Sequence, residues 1–519
     1  MDAVTAGSEP PAERGLAPPD PSADAEAEGA AGEAPEGIET YEKRAVRGGL
    51  ALTIRTGVAQ VIVLGGTVVL ARHLRPAEFG AFAMVQFALT ALTIFGDAGL
   101  GGALIQKKKQ PTQRELSSVF FVQVALGAVV LLAAGGVGQL LPIVWPDLPE
   151  GTPWIMSALA LSFVFTSLRV VPMLLMEREL LFVRVAILDT VNSVTFYLVA
   201  GVLAVRGAGI WALVIGVLAQ GTTGLVGALL LRPWRPSSVF DREAVRALLG
   251  FGVPFQTRTA LGLVIASVIP VVGGTLLGAE AVGYINWSHQ TAFFALTFVD
   301  IIARVSFPLY SRLHAQGDGL PPALERSLRV CVALTLFFSG MFLGIGEPLT
   351  RIIYSESWVP AVPLLHLYAA TITVGMLVNV LAPAFDALGR PRIVLAQMIV
   401  VTIGTWIVVP IATVRWGLIG FTAGYVSVMV LGAVLIVWLA RRFLPRTRIL
   451  QPFVAPAIAA ALILALGRWL LAPWTTGPWT LAAAVLAEVL IFTAIVAALD
   501  RATLRALRSL LPARRARPD

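Results

Sequence analysis

The stretch VAILDTVNSVTFYLVAGVLAVRGAGIWALVIGVLAQGTTGLVGALLL, residues 185–231, sets two apolar runs end to end with only Arg206 and Gly207 between them. A helix needs roughly 20 residues to cross a bilayer core of roughly 30 Å. Both runs have that length, which is about twice the roughly ten residues of a membrane-spanning barrel strand. Within lipid only helices and closed barrels satisfy their own backbone, so helices are the expectation. Working outward, the pattern recurs from Gly49 to Ala498, with spans near 49–71, 80–104, 118–142, 155–176, 185–205, 208–231, 251–276, 283–308, 328–346, 362–387, 392–412, 416–440, 452–472 and 479–499. The chain reads as an all-α integral membrane protein of about 14 transmembrane helices.

Composition agrees. With 57% hydrophobic and 13% charged residues and a mean hydropathy of +0.81, a soluble chain of this length would lack polar surface. Residues 1–44 are different material: through residue 40 they carry ten acids (Asp2 to Glu39), one base (Arg14) and almost no large apolar side chain. Such a segment buries too little to offset its ordering entropy and is expected to be a disordered acidic tail. It has neither the basic start nor the apolar centre of a signal peptide.

Setting aside the ten acids and one base of residues 1–40 leaves 21 acidic against 38 basic residues in the membrane body. The excess is arranged by loop. One alternate set holds Lys107 to Lys109, Arg114, Arg178, Arg184, Arg232, Arg235, Arg242, Arg246, Arg312, Arg326, Arg329, Arg390, Arg392, Arg441, Arg442, Arg446 and Arg448. The other set holds only Arg72, Arg75, Arg206, Arg351, Arg415 and Arg468. The positive-inside rule makes the first set cytoplasmic, and both termini with it, in a plasma (inner) membrane. A basic balance of this kind is topology and calls for no nucleic acid.

Enzyme chemistry finds little footing. The lone Cys331 permits no intramolecular disulfide, and His73, His289, His314 and His366 lack the spacing of a metal motif, so no metal or cofactor is expected. No P-loop occurs, which excludes this chain as a direct user of ATP.

The chain also repeats itself. A shift of 203 residues lays Arg55 on Arg258, Gly80 on Gly283 and Asp97 on Asp300, and a shift of 208 to 209 lays Arg184 on Arg392 and Arg206 on Arg415. Six spans separate the copies, so the halves share one orientation about an axis along the membrane normal. This gives two pseudo-symmetric six-helix lobes plus two C-terminal helices. The expected division is an N-lobe at 45–232, a cytoplasmic linker at 233–250, a C-lobe at 251–444, helices 13 and 14 at 445–500 and a basic cytoplasmic tail at 501–519.

The residues most expensive to place in lipid nominate the cargo site. Arg55, Arg169, Arg258 and Arg304 fall inside or near the ends of spans, with Gln60, Gln123, Asn192, Gln220, Gln256, Asn286, His289 and Asn379. A charge at a helix centre costs roughly 3 kcal/mol or more facing lipid, so such residues normally face protein or water. A cationic, amide-rich vestibule suits an anionic, hydroxylated cargo; the substrate-binding candidates are Arg55, Arg258, Arg169, Arg304, Gln60, Gln256 and Asn286. Two readings compete for Arg55 and Arg258, because each lies close enough to the basic side to snorkel. Asp97, Asp189 and Asp300 are ion-coupling candidates, with neutralisation of the arginines as the alternative. Trp145, Trp154, Trp211, Trp358, Trp416 and Trp474 are expected in an interfacial belt, and Pro172, Pro254, Pro270 and Pro383 at kinks.

Six runs carry a family resemblance: Val-Leu-Ala-Arg-His-Leu-Arg-Pro-Ala-Glu-Phe-Gly (69–80), Gly-Asp-Ala-Gly-Leu-Gly-Gly-Ala-Leu-Ile-Gln (96–106), Met-Glu-Arg-Glu-Leu-Leu-Phe (176–182), Leu-Gly-Ala-Glu-Ala-Val-Gly-Tyr (277–284), Phe-Pro-Leu-Tyr-Ser-Arg-Leu (307–313) and Ala-Leu-Gly-Arg-Pro (387–391). Together they resemble the Wzx-type polysaccharide flippases of the MATE-like MOP superfamily. The resemblance implies fourteen helices in two lobes that move an undecaprenyl-pyrophosphate-linked oligosaccharide to the outer leaflet by alternating access, coupled to an ion gradient. The implied partners are that lipid-linked glycan, the phospholipid bilayer and polysaccharide polymerase or export machinery. Arginine suits such a cargo because its planar fork grips phosphate oxygens in pairs and keeps its charge. The seventh span departs from the family, with Ile265-Ala-Ser-Val-Ile-Pro270 where relatives carry a polar cluster, so the role of that cluster is either lost here or moved to Gln256 and Arg258.

Two other classes compete. A multidrug exporter of the MATE branch would favour an acidic cavity and lack the two extra spans. A polysaccharide polymerase would need a large catalytic loop, and the longest loop on the sparsely charged side is only about a dozen residues, near Leu141 to Pro153. The topology has a direct check by cysteine labelling in a Cys331→Ala background. A cysteine at position 108 should resist a membrane-impermeant reagent in intact cells and react in opened ones; labelling in intact cells would invert the assignment.

Overall fold

In the computed structural model the described residues run from 61 to 503, apart from 98–103, 105–109, 244, 247–261, 316–319 and 501. They are helical throughout, and no strand occurs among them. The first lobe comprises α1 (Val61–His73), α2 (Pro76–Asp97), α3 (Gln113–Val144), the bent pair α4 (Thr152–Leu168) and α5 (Val170–Arg178), α6 (Phe182–Val205) and α7 (Ile210–Leu231). The second holds α8 (Gly274–Ala315), α9 (Leu320–Leu349), α10 (Val362–Ala387) and α11 (Pro391–Phe443), followed by α12 (Val454–Leu466) and α13 (Pro478–Leu499).

Two hairpins interrupt this series, one between the helical run from 262 and the body of α8, the other within α11. At Gly278 the backbone takes φ 85°, ψ 177°, and at Gly417 φ 60°, ψ −138°. The limbs on either side pack face to face, since a Cβ at Gly273 would meet Val282 and Ile285, and one at Gly404 would meet Val428. In a straight helix those residues would be far apart at 1.5 Å per residue. Counting the bent pair once, the run from 262 to Gly278 as the seventh and α11 as two limbs gives fourteen helical segments among the described residues, of which α1 is a shorter apolar one. Apolar side chains stand bare on the outside, including Leu132, Ile143, Leu230 and Val414. A surface this apolar belongs in lipid, so the protein is a multi-pass membrane protein.

Alternation of direction gathers the loops at two ends. One end holds 74–75, 145–151, 206–209, Gly278, 350–361, Gly417 and 475–477; the other carries the arginine-rich loops. The basic end is tightly built where described. Thr112 and Glu115 form a capping box that starts α3, and the segment after α7 lies along that start, with Ser237 and Asp241 donating main-chain N–H to Ser117 Oγ and Ser118 Oγ at 2.8 and 2.7 Å.

The internal repeat is expressed in the backbone. Gly209 opens α7 at φ 57°, ψ −140°, nearly the dihedrals of Gly417, which lies 208 positions on. Both need the positive φ that glycine adopts without cost. Between the lobes, α2 packs along α8. A Cβ on Gly80 would overlap the carbonyl oxygen of Ala279, and one on Gly283 the carbonyl oxygen of Pro76. Those partners are themselves 203 apart, so this contact is a pseudo-two-fold one, closed only because both positions lack a side chain.

This crossing should tolerate no enlargement. Gly80→Ala or Gly283→Ala should destabilise the purified protein by about 1–3 kcal/mol, as overpacking does. Gly136→Ala, where a Cβ meets nothing within 4 Å, should be neutral or stabilising by up to about 1 kcal/mol. Thermal unfolding in detergent distinguishes them.

Candidate functional site

The lobes meet around the glycine crossing at the sparsely charged end. Trp358 is fully buried and donates its indole N–H to the Ala71 carbonyl oxygen at 2.8 Å. Its ring meets Phe79 of the first lobe edge-on, centroids 5.4 Å apart, and Trp287 of the second at 5.4 Å. Arg72 reaches across with Nε to the Ile353 carbonyl oxygen at 2.8 Å and with its guanidinium to that of Ile352. Trp145 is buried against Met84, Ala279 and Val282. Two expected belt residues, Trp145 and Trp358, thus prove to be interlobe packing, each buried against side chains of the partner lobe. Trp154, Trp416 and Trp474 are largely exposed, as a belt requires, and Trp211 marginally so.

Deeper in the first lobe a polar cluster forms around a broken helix. Pro172 has no N–H and crowds the carbonyl of Leu168, so the span breaks between α4 and α5 with a 45° bend. Arg169 sits at that break. Its guanidinium lies on the bare face of Gly224 in α7, beside the Asn192 carboxamide of α6, both within van der Waals reach of a Cβ placed there. Asp189, one turn earlier on α6, interacts electrostatically with Arg169 and with Glu177 of α5. Asn192 is buried, and its Oδ1 has no hydrogen-bond partner among the described residues. Such an acceptor is normally satisfied, so a spare one next to a guanidinium marks a place for a donor.

The second lobe answers with a different arrangement. Asp300 on α8 is exposed and accepts from Asn379 Nδ2 of α10 at 3.2 Å. His289 stacks on Phe293 at 4.3 Å and meets Tyr368 and Tyr425 edge-on. Asn286 is half-buried on α8. Of the other sequence candidates, Arg55, Gln60, Gln256 and Arg258 lie outside the described residues. Arg304 and Asp97 are described as helix backbone only. The structure thus brings Arg169, Asp189 and Asn192 together on one lobe, and Asp300 with Asn379 on the other. The glycine that seats Arg169 was missed, although a signal exists: Gly209, Gly216 and Gly224 recur 208 residues on as Gly417, Gly424 and Gly432. At Gly432 the side chain lying closest is that of Val401, with Gln397 Nε2 beside it, so the second lobe keeps the seat without a charge. No group of three or more His, Cys, Asp or Glu residues placed to hold a metal occurs among the described residues.

Comparison with known proteins follows this architecture. The model of a family described as polysaccharide biosynthesis protein matches residues 69–363. The teichuronic acid biosynthesis protein TuaB of Bacillus subtilis (strain 168) is 23% identical over 305 residues, covering 57% of this chain and 61% of its own. The succinoglycan biosynthesis transport protein ExoT of Rhizobium meliloti (strain 1021) is 24% identical over 305 residues, covering 58% and 60%. The chain thus spans about three fifths of each relative's length. Among solved structures, the lipid II flippase MurJ in an inward closed conformation superposes with a TM-score of 0.69 at 13% identity, over 88% of this chain and 100% of that one. An inward-facing multidrug resistance MATE family transporter of the MOP superfamily gives 0.57 at 14% identity, over 78% and 95%. These likenesses establish the fold.

If Gly224 seats Arg169, a side chain there displaces the guanidinium. Gly224→Val should cut transport at least several-fold at unchanged membrane level, and adding Arg169→Ala should cost little more, since the two changes disable one feature. Fully additive losses in a transport assay would separate them.

Proposed function

We propose that this chain, which belongs to the polysaccharide biosynthesis protein family, is a flippase that moves undecaprenyl-pyrophosphate-linked oligosaccharide units across the plasma membrane. It works by alternating access and supplies the assembly of a surface polysaccharide such as O-antigen, exopolysaccharide or capsule. The carrying observation is the Arg169, Asp189 and Asn192 cluster within the membrane span, where a guanidinium and a spare amide acceptor sit together on glycine. A diphosphate needs the first group and a sugar hydroxyl the second. The named roles of TuaB, ExoT and MurJ support the same reading.

In this reading the arginine-rich end is cytoplasmic, as are both termini. The crossing at Gly80 and Gly283 then seals the outer side, and the cargo enters from within. Arg55 and Arg258, which match at the 203-residue shift, join Arg169 as the groups for the diphosphate in this reading, with Arg304, Gln60, Gln256 and Asn286 for the glycan. Asp97, Asp189 and Asp300 are the acids available for coupling to an ion gradient. The product passes to a polysaccharide polymerase, and the chain itself is a transporter with no catalytic step.

Reconstituted vesicles holding a lipid-linked oligosaccharide test this. The protein should expose the glycan to an added glycan-modifying enzyme on the far side, and protein-free vesicles should not. Arg55→Ala and Arg258→Ala should each weaken the process by roughly 1.5–3 kcal/mol, the range for hydrogen bonds to charged groups, while Arg→Lys retains part of it because charge survives without the fork. Undiminished translocation in the alanine variants would leave these arginines as snorkelling residues, and no translocation by the intact protein would sink the flippase reading.

A further inference from the structure

Glu488 stands at the midpoint of the 22-residue helix α13, wholly buried. Neither carboxyl oxygen has a hydrogen-bond partner among the described residues. A Cβ at Gly467 would lie 2.6 Å from Oε1 and one at Gly344 3.4 Å from it, which puts the carboxyl in the seam joining α13, α9 and the π-helical turn Gly467–Leu471 after α12. Small residues make that seam close. Gly340 and Gly344, one turn apart, face Ala460, Ile463 and Gly467, the small-xxx-small approach that membrane helices use.

The same segment shows how this chain treats a carboxylate it keeps charged. Asp500, just past the end of α13, bonds Arg329 Nη1 at 2.7 Å, Thr503 Oγ1 at 2.7 Å and the Ala502 N–H at 3.0 Å. Partial burial works upward on Asp500, but the Thr503 hydrogen bonds, Arg329 and the Ala502 N–H together outweigh it and hold the carboxyl below its ordinary range. Glu488 has none of this. The charged groups on the elements packed around it are engaged elsewhere or stand outside: Arg351 pairs with Glu347 at 3.3 Å and Glu356 at 2.8 Å, and Arg468 is exposed. His366 of α10 presents its ring to Gly346, and α13 has no other titratable side chain. A carboxylate left alone in an apolar seam is the costly state, and taking up a proton is the cheaper one.

A route to water lies close by. A cleft of about 830 Å³ at the sparsely charged end is lined by Gly344 together with Arg72, Glu347, Arg351 and Arg468. Gly344 is thus shared between the cleft and the Glu488 carboxyl, one residue thick.

We propose that Glu488 is a proton-binding site that latches the C-terminal hairpin, α12 and α13, to the second lobe. With the proton bound the carboxyl is neutral and the seam closes. Loss of the proton to water in the cleft leaves a carboxylate that the seam cannot hold, and the hairpin loosens. The site lies outside the cargo cluster and depends on the flippase reading only for its use.

The sign is fixed by proton count. The closed seam binds a proton that the unfolded chain has released, so stability falls as pH rises. In lipid nanodiscs the full-length protein should melt at progressively lower temperature from mildly acidic to mildly alkaline pH. Glu488→Gln, neutral and of the same shape, should lose that component and melt highest relative to wild type at alkaline pH. Parallel curves for the two proteins would overturn the proposal. Should the variant fail to fold, a hydrophobic carbodiimide, which attacks protonated carboxyls, should modify Glu488 of the intact protein, with labelling that declines as pH rises. A Glu488 peptide unmodified at every pH would also overturn it. Neither readout involves transport, so failure here leaves the flippase reading standing, and failure to translocate cargo leaves this site standing.

Discussion

The close approach of α2 and α8 governs how the rest of the molecule is placed. Gly80 and Gly283 each press against the main chain opposite the other, at Ala279 and Pro76. Two lobes of equal orientation have to share an axis, and main chain against main chain is the shortest contact they can make along it. Everything around it follows: Trp358, Phe79 and Trp287 fill the space beside the crossing, and Met84, Trp145 and Val282 fill it on the other flank. Beside it, the Arg72 and Trp358 bonds to carbonyls of the partner lobe are contacts that any parting of the lobes at this end must break. On the flippase reading, these contacts form a clasp that alternating access has to open.

Symmetry of backbone is not symmetry of chemistry. The hairpin turns at Gly209 and Gly417 share their dihedrals, and Gly224 and Gly432 each leave room for a neighbouring side chain, Arg169 at the first and Val401 at the second. Yet Asp189 and Asn192 of the first lobe fall on Gln397 and Val400 of the second. The first lobe therefore carries the charge at this depth. A charge inside a span is costly unless it meets protein or water; on the flippase reading, this asymmetry would decide which wall an anionic cargo touches.

Much of this was legible in the chain. The expected spans 208–231, 362–387 and 479–499 fall within two residues of α7, α10 and α13, because apolar length against bilayer thickness is a strong constraint. The two-lobe repeat was legible from Gly80, Asp97 and their counterparts. What the sequence did not reveal depends on the third dimension. Trp358 lies near a helix end, as belt tryptophans do, and only the partner lobe makes it buried. Arg169 was visible as a rare charge, but its seat on Gly224 required knowing that α4 breaks at Pro172 and turns the side chain inward. Glu488 lies in an alanine-rich run where a lone acid draws no attention, and its meaning comes from Gly344 and Gly467, which are distant in sequence.

On the flippase reading, the clasp at the sparsely charged end also sets the scale of the transport cycle. Net contributions of about 0.5–1.5 kcal/mol per hydrogen bond apply to the Trp358 and Arg72 contacts, each made to a main-chain carbonyl that water can satisfy once the lobes part. The aromatic packing adds about 0.5–1.5 kcal/mol per ring pair beyond area burial. A clasp built from a handful of such terms holds one state by a few kcal/mol, which leaves the other within reach of differential cargo binding. Ionic bonds across the same interface, desolvated on closing, would make the exchange far steeper. Arg169 and Asp189 stand instead at α4 and α6 of the first lobe, the place proposed above for cargo.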